Sequence, residues 1–391
     1  MGKAHTEKQT EVSPRFLLES QIKTIYYYSM NLIFFQNCIS PHQMPYIACL
    51  PAMPEVGRVV VVAPLVDMDE RKAMGWDADK YLHTAGVEVR IAPTDAEVQQ
   101  LLQHNPADTV CLFSGINAFP EVRHWIDLSV PFAVRRAIIT ERPNLHRHPL
   151  WMHRARFWLK DRPLAPLFSD VFVMGDDFVD YYRRSSSQWR VHPFLYCTEW
   201  TERQHFPLAD PARNIRLLFV GGLFKRKSVA TLANALQLMP TAEAYRIEVG
   251  IVGDGPLRRQ LEERFRATPS KVMWHGTQPH DKVTGIMQQY DALVLPSTHD
   301  GWGAVVNEAL TLGLYIVVSD KCGARMVVGN DTVGRVFRAG SPRSLQQVLT
   351  TMPTQEAITN TIATRIDYAR RHIAPQAVAR RLVDGLREMQ H

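Results

Sequence analysis

The stretch DALVLPSTHDGWGAVVNEALTLGLYIVVSD, residues 291–320, decides how the chain folds. Its ends, DALVLPS (291–297) and LYIVVSD (314–320), are short β-branched runs. Between them GAVVNEALTL (303–312) carries the apolar spacing of a helix. Apolar strands alternating with amphipathic helices imply a parallel sheet covered on both faces. In such sheets ligands bind at the carboxyl ends of the strands, beside helix N-termini. Here that position holds Asp300, then Gly301 and Gly303, which open space above the backbone. The N–H groups of Trp302, Gly303, Ala304 and Val305 begin the helix and suit an anion such as a diphosphate. Glu308 falls in the second turn among Val305, Val306, Ala309 and Leu310, so the helix is expected to be largely buried. A buried carboxylate needs hydrogen-bond donors. Vicinal ribose hydroxyls would supply two; a salt bridge to an arginine is the alternative. The plainest reading of the stretch is a loop, a helix cap and a surface glutamate.

The same alternation extends outward. RLLFVGG (216–222), RIEVGIVG (246–253) and KVMWHG (271–276) read as strands. SVATLANALQLM, PLRRQLEERF and DKVTGIMQQY read as the helices between them. The N-terminal half repeats the theme with KTIYYYSMNLIFF, GRVVVVAPL, VEVRIAP, DTVCLFSG, FAVRRAIIT and SDVFVMG as strands. DADKYLHTA and DAEVQQLLQH read as helices there. HPFLYCTEWTERQHFPLADPARN has no regular period and three prolines, and reads as the linker region. The expected division is therefore an N-terminal domain over 1–196, a linker over 197–214 and a C-terminal domain over 215–373. A final amphipathic helix follows over 374–391. The fold class is α/β, with two doubly wound, Rossmann-like domains facing a central cleft.

Composition bounds the function. The chain has 391 residues, 46% of them hydrophobic, which suits two ordinary globular cores. Its net charge is +6, and one segment, residues 132–162, accounts for that excess. Such a patch suits phosphorylated ligands, anionic membranes or nucleic acid, and a solvated basic face is the bland alternative. Within it LWMHRARFWLKDR interleaves Trp151, Phe157 and Trp158 with Arg154, Arg156 and Lys160. That mixture favours an anionic bilayer surface over nucleic acid, since no nucleic-acid fold signature accompanies it. The five cysteines are scattered without a CxxC pair, against a disulfide framework or a zinc site. The polar start MGKAHTEKQTEVSPR is not a signal peptide, and neither TIYYYSMNLIFF nor VVVVAPLV reaches the roughly 18–20 residues of a membrane span.

Three further loops carry candidate chemistry. In FVGGLFKRKSVATL a strand ends at Gly221 and Gly222, and Arg226 and Lys227 stand at the following helix start. That arrangement suits phosphate, although the spacing is not a Walker A loop. IVGDGPLRRQLEE places Gly253 and Gly255 after a strand, without the full GxGxxG fingerprint, so a tight structural turn explains it equally well. HGTQPHDKV places Gly276 after another strand end, and a base-binding role there has no support of its own.

FVGGLFKRK, IVGDGPLRRQLE, VMWHGTQ and the stretch 291–320, in this order, resemble the donor-binding domain of glycosyltransferase family 4, over about residues 216–352. That family consists of retaining enzymes with the GT-B fold. The resemblance implies that Asp300 and Glu308 match the two acids of its Glu-x7-Glu motif. Lys227 would then contact the donor diphosphate, Glu308 the nucleotide ribose and Asp300 the donor sugar. Backbone N–H groups across Gly301 to Val305 would hold sugar and phosphate, and no metal or other cofactor is expected. Two departures stand out. Gly222 replaces the arginine usual after the first glycine, with Arg226 as a substitute, and Asp300 is one methylene shorter than glutamate. QNCISPHQMPY resembles the acceptor-side loop of polysaccharide-assembly transferases, which makes His42 a second catalytic candidate and Gln43 a cleft residue. MGDDFVDYYRR and HPFLY resemble the end of the acceptor domain. Glu141, in ITERP, is a further cleft acid.

The resemblance implies a retaining hexosyltransferase. It would move sugar from a nucleoside-diphosphate donor to a glycan or lipid-linked acceptor in surface polysaccharide or glycolipid assembly. The expected location is cytoplasmic, peripheral at the inner face of the membrane. Two alternatives stand beside it: a non-catalytic paralogue that binds a nucleotide-sugar or a partner, and a Rossmann enzyme using NAD or a methyl donor.

Overall fold

The computed structural model describes residues 29–67, 78–143, 148–210 and 212–388. Among the described residues thirteen strands form two wholly parallel sheets. The first holds β1 (Met30–Phe35), β2 (Val56–Ala63), β3 (Val87–Ile91), β4 (Thr109–Ser114), β5 (Arg135–Thr140), β6 (Asp170–Met174) and β7 (Arg190–Phe194), in the order β3-β2-β1-β4-β5-β6-β7. The second holds β8 (Ile215–Val220), β9 (Ile247–Val252), β10 (Val272–Gly276), β11 (Ala292–Leu295), β12 (Tyr315–Ser319) and β13 (Gly334–Phe337), in the order β10-β9-β8-β11-β12-β13. Central strands such as Val59–Val62 and Leu293–Leu295 are buried on both faces, which is why they read as unbroken apolar runs. In each sheet the strand order reverses once, between β1 and β4 and between β8 and β11. These are the switch points where open α/β sheets take ligands.

Local sequence fixes the crossovers. Thr94 and Glu97 form a reciprocal capping box that starts the helix Asp95–Gln103, and Val98, Leu101 and Leu102 bury its inner face. Burying each of those side chains is worth about 1.5–3 kcal/mol.

Several elements differ from expectation. Residues 77–85 were expected to be helical, but only a single 3-10 turn, Asp79–Tyr81, forms. Thr84 closes back on the Tyr81 carbonyl through both its N–H and its hydroxyl, which ends the helix before a second turn. The strand Arg190–Phe194 overlaps the start of the expected linker region, and Pro193 is tolerated because β7 is an edge strand. β13 was not expected at all. The expected first strand began at Lys23, but residues 23–28, the N-terminal segment and His146 lie outside the described residues. Among the described residues no helix is long and apolar enough to cross a membrane.

After the second sheet the chain returns to the first. The helix Pro375–Arg387 buries Val378, Ala379, Leu382, Val383 and Leu386, and Gly385 lies against the Phe172 ring. Arg380 and Arg387 pair with Glu55 at 2.7 and 3.0 Å. Arg135 joins the carbonyl of Leu386 to the fully buried Asp170, which also receives Arg190, Ser169 and His192. Burial raises the Asp170 pKa, but the His192 and Ser169 hydrogen bonds and the Arg135 charge outweigh it and hold it below the usual value. Where the chain leaves and re-enters the first sheet the two passages touch, with the Cys197 thiol facing the Ile373 carbonyl at 3.9 Å.

Candidate functional site

The loops after β8 and β11 are tied together. The N–H of Thr298 donates to the Arg226 carbonyl at 2.8 Å, which sets the 3-10 turn Lys225–Lys227 beside the loop carrying Asp300. Lys227 Nζ lies 2.5 Å from Asp300 Oδ2, and Arg226 is 3.8 Å from the same oxygen. The Ser297 hydroxyl approaches it at 3.4 Å. Lys227 and Asp300 are both largely buried side chains, so each shields the other's charge from an apolar surrounding. The Lys227 chain passes over Gly221. At Gly222 the space for a side chain is filled by the ring of Phe224.

Gly301, Trp302, Gly303 and Ala304 line a 430 Å³ cavity with Asp300, Arg226, His299, His42, Glu141, Arg142 and Tyr196. Val305 opens the helix Val305–Thr311. The N–H groups of Gly303, Ala304 and Val305 have no acceptor among the described residues. The Trp302 side chain instead turns into the core, where its indole N–H bonds Asn307. Asn307 in turn donates to the Tyr196 carbonyl at 2.9 Å and so joins this loop to the end of the first half.

Glu308 lies on a largely buried helix, as expected. Its side chain is one-fifth exposed, and its partner is His280 at 3.5 Å rather than an arginine. The hydrogen bond to Glu308 raises the His280 pKa against the opposing effect of burial. Both line a second cavity of 270 Å³ with Lys80, Tyr81 and Glu199. There Lys80 and the Tyr81 hydroxyl each lie 2.7 Å from Glu199 Oε1, which holds that carboxyl below its usual pKa against burial.

Gly253 and Gly255 serve backbone packing. A Cβ on Gly253 would stand 2.2 Å from the Gly221 carbonyl oxygen, and one on Gly255 would meet the Leu223 backbone at 2.9 Å. Leu223 N–H bonds the Asp254 carbonyl, so the GDGP turn buttresses the loop bearing Lys227. Gly276 faces open space at positive φ, and it lines neither cleft cavity.

On the opposite side, Gln43 is buried and fixed by Gln36, whose amide donates to it at 3.0 Å. His42 packs its ring against Tyr196 and lines the same cavity as Asp300. Glu141 accepts from the Tyr196 hydroxyl and leans toward Gly301. It also borders a third cavity, of 280 Å³, over the carboxyl ends of β1, β4 and β5. Gln36, Asn37, Ser40, Ser114 and Thr140 give that cavity neutral polar walls. Glu141 is thus shared by the cavities of both halves. Sequence reasoning passed over Tyr196, Arg142 and His280. Tyr196 stood in the quoted HPFLY; Arg142 follows Glu141 and pairs with Asp177 at 2.8 Å; His280 lay in the quoted HGTQPHDKV. Among the described residues no three His, Cys, Asp or Glu side chains gather as metal ligands.

Known proteins are similar to this chain in different measure. The Escherichia coli lipopolysaccharide glucosyltransferase WaaG is 23% identical over 67% of this chain and 72% of its own. The Arabidopsis thaliana sulfoquinovosyl transferase SQD2 is 26% identical over 35% of this chain. The chain spans about a quarter of the length of SQD2 and of a Streptomyces fradiae 2-deoxystreptamine N-acetyl-D-glucosaminyltransferase. Among solved structures, the lipopolysaccharide outer core galactosyltransferase WaaB superposes with a TM-score of 0.66 at 13% identity, over 91% of this chain and 99% of that one. Anabaena HepE in complex with UDP and glucose gives 0.61 at 13% identity, over 92% and 100%. The architecture they share with this chain is GT-B, and within it residues 201–371 match the family described as glycosyl transferases group 1.

Proposed function

We propose that the chain is a retaining glycosyltransferase that moves a hexose-type sugar from a nucleoside diphosphate to an acceptor hydroxyl in surface-glycan assembly. One observation carries this reading: Lys227 and Arg226 meet Asp300 at the switch point of the second sheet, and Arg226 and Asp300 line a cavity that Glu141 and His42 enter from the first. Lys227 and Arg226 bind the departing diphosphate and stabilise its developing charge without a metal. The N–H groups of Gly303, Ala304 and Val305 add donors on the same side. Glu308 receives the ribose hydroxyls once His280 gives way. Asp300, exchanged from Lys227 by the phosphates, turns to the sugar. The acceptor hydroxyl approaches past Glu141 on the face the diphosphate leaves, so the leaving phosphate takes its proton and configuration is retained. Positioning supplies much of the rate. HepE bound to UDP and glucose supports a uridine donor. The acceptor is a glycan or lipid-linked glycan, presented at the anionic inner face of the membrane.

Thermal shift against UDP, GDP, dTDP and ADP and their sugars tests this. A ligand near 100 times its Kd adds about 2.7 kcal/mol, and no response to any of them overturns the reading. Glu308→Ala is expected to weaken nucleotide binding by about 1.5–3 kcal/mol with the fold intact; unchanged affinity removes the ribose assignment. The non-catalytic alternative draws on the Lys227–Asp300 pair and the filled space at Gly222. A nucleotide response with no transfer to any acceptor pool selects it.

A further inference from the structure

Exposed large apolar side chains are scattered over the described surface, with Phe206 and Leu208 as a close pair and one larger group. Trp151, Met152, Trp158 and Leu159 crowd into nine consecutive residues, and Leu159 is 79% exposed. They sit on a continuous helical rod, the helix Leu150–Arg156 followed by a π turn at Phe157–Asp161. Phe157 alone turns inward, packing on Trp189. Between the apolar groups stand Arg154, Arg156, Lys160 and Arg162, with the Arg162 guanidinium 3.9 Å above the Trp158 ring. Every exposed side chain from Trp151 to Pro163 is apolar or cationic. The one acid, Asp161, is drawn inward by the Asn117 amide at 2.6 Å.

We propose that residues 150–162 dock on an anionic lipid bilayer, and that Asn117 ties this surface to the rim of the cavity over β1, β4 and β5. Indole rings beside cations suit the boundary between headgroups and acyl chains, where the ring is half solvated and the charge meets phosphate. A protein partner of ordinary polarity would leave four cations to be matched one by one, whereas a bilayer of mixed lipids supplies mobile anions to all of them. Asn117 makes the connection. Its side chain binds Asp161 and the Lys160 carbonyl, its own carbonyl accepts from Arg156, and its side-chain oxygen accepts from Arg123. The flanking Ser114, Gly115, Ala118 and Phe119 line the cavity itself. A docked rod therefore holds the mouth of that cavity at the membrane surface. The word acceptor for whatever enters there rests on the transferase reading; the docking surface does not.

The full chain is tested by co-sedimentation with phosphatidylcholine vesicles, alone and mixed with phosphatidylglycerol. Binding is expected only to the anionic vesicles and is expected to weaken with salt. Arg154→Gln with Lys160→Gln is expected to lower partitioning about 30-fold, and Trp151→Ala with Leu159→Ala is expected to abolish it. All four side chains are exposed, and an unchanged melting temperature checks that the fold survives. Hydrogen exchange on vesicle addition should protect 150–162 together with 114–119, and in Asn117→Ala only the former. Absence of binding to anionic vesicles, variants that bind as well as the parent, or retardation of single-stranded RNA without vesicle binding overturns the docking surface. An unprotected 114–119 loop in the parent overturns the tie through Asn117. A UDP response without vesicle binding rejects this inference alone; vesicle binding without any nucleotide response rejects the transferase reading alone.

Discussion

The two switch points use one backbone device with opposite chemistry. After β8 and β11 the second sheet gathers Lys227, Arg226 and Asp300 within 3.8 Å. After β1 and β4 the first sheet gathers amides and hydroxyls, from Gln36, Asn37, Ser40 and Ser114, and Glu141 of the β5 loop brings a charge. Topology puts a cleft at each reversal of strand order. The loops then assign it, cations for a multiply charged phosphate on one side and neutral donors and acceptors for hydroxyl groups on the other. Glu141, leaning toward Gly301, stands where the two meet.

The strongest way to break this contrast is to remove the charge from the second switch point. Lys227→Ala is expected to lower kcat/KM by about 10²–10³-fold, read by initial rates over a range of donor concentrations. Equal loss from Gln36→Ala would show that both loops serve the phosphate and end the distinction. Gly253→Ala probes the buttress instead of the ligand. Its Cβ would collide with the Gly221 carbonyl, so a loss of about 2–4 kcal/mol in urea unfolding is expected. Gly276→Ala, where space is open and only the left-handed backbone is strained, should cost about 1–2 kcal/mol.

Asp300→Asn sharpens the comparison in the other direction. With the competing carboxylate gone from Lys227, UDP is expected to bind about three- to tenfold more tightly by calorimetry while sugar transfer falls. Weaker UDP binding would mean that Asp300 orients Lys227 rather than competing for it. The smallest effect concerns His280. Its pKa is raised, so the His280–Glu308 contact contributes fully below the ordinary value of about 6.5 and is lost as pH rises through the folded value. Lys80 opposes that shift and Glu199 adds to it. Because protonated His280 and ribose compete for Glu308, nucleotide affinity is expected to climb a few-fold across that window. His280→Gln should flatten the profile; a slope that persists assigns the titration elsewhere.

The halves were about equally legible in sequence, six of seven strands in the first sheet and five of six in the second. In the second sheet β9, β11 and β12 could be read because doubly buried strands are unbroken apolar runs. β13, with Arg335 at its centre and Gly334 at its start, has no such run. β7 was hidden by Pro193, which only an edge position permits. In the site, Asp300 and Lys227 were visible because each adjoins a glycine turn after a strand. Their contact was not, since 73 residues separate them. His280 was passed over for the same reason, joining Glu308 only through the packing of two helices. Glu308 keeps one-fifth of its side chain exposed because the apolar neighbours on its helix face the core, while the carboxylate faces the cleft.

The return of the C-terminal helix to the first sheet has a mechanical consequence. The polypeptide crosses between the halves twice, and the crossings touch at Cys197 and Ile373. Two adjacent pivots remove most ways for one half to slide or twist against the other. What remains is a swing about the line through both, as a door moves on paired hinges. Glu141 and Asp300 lie close to that line, because Tyr196, next to Cys197, bonds Glu141 and shares their cavity, so a swing shifts these two little and opens the outer edge instead.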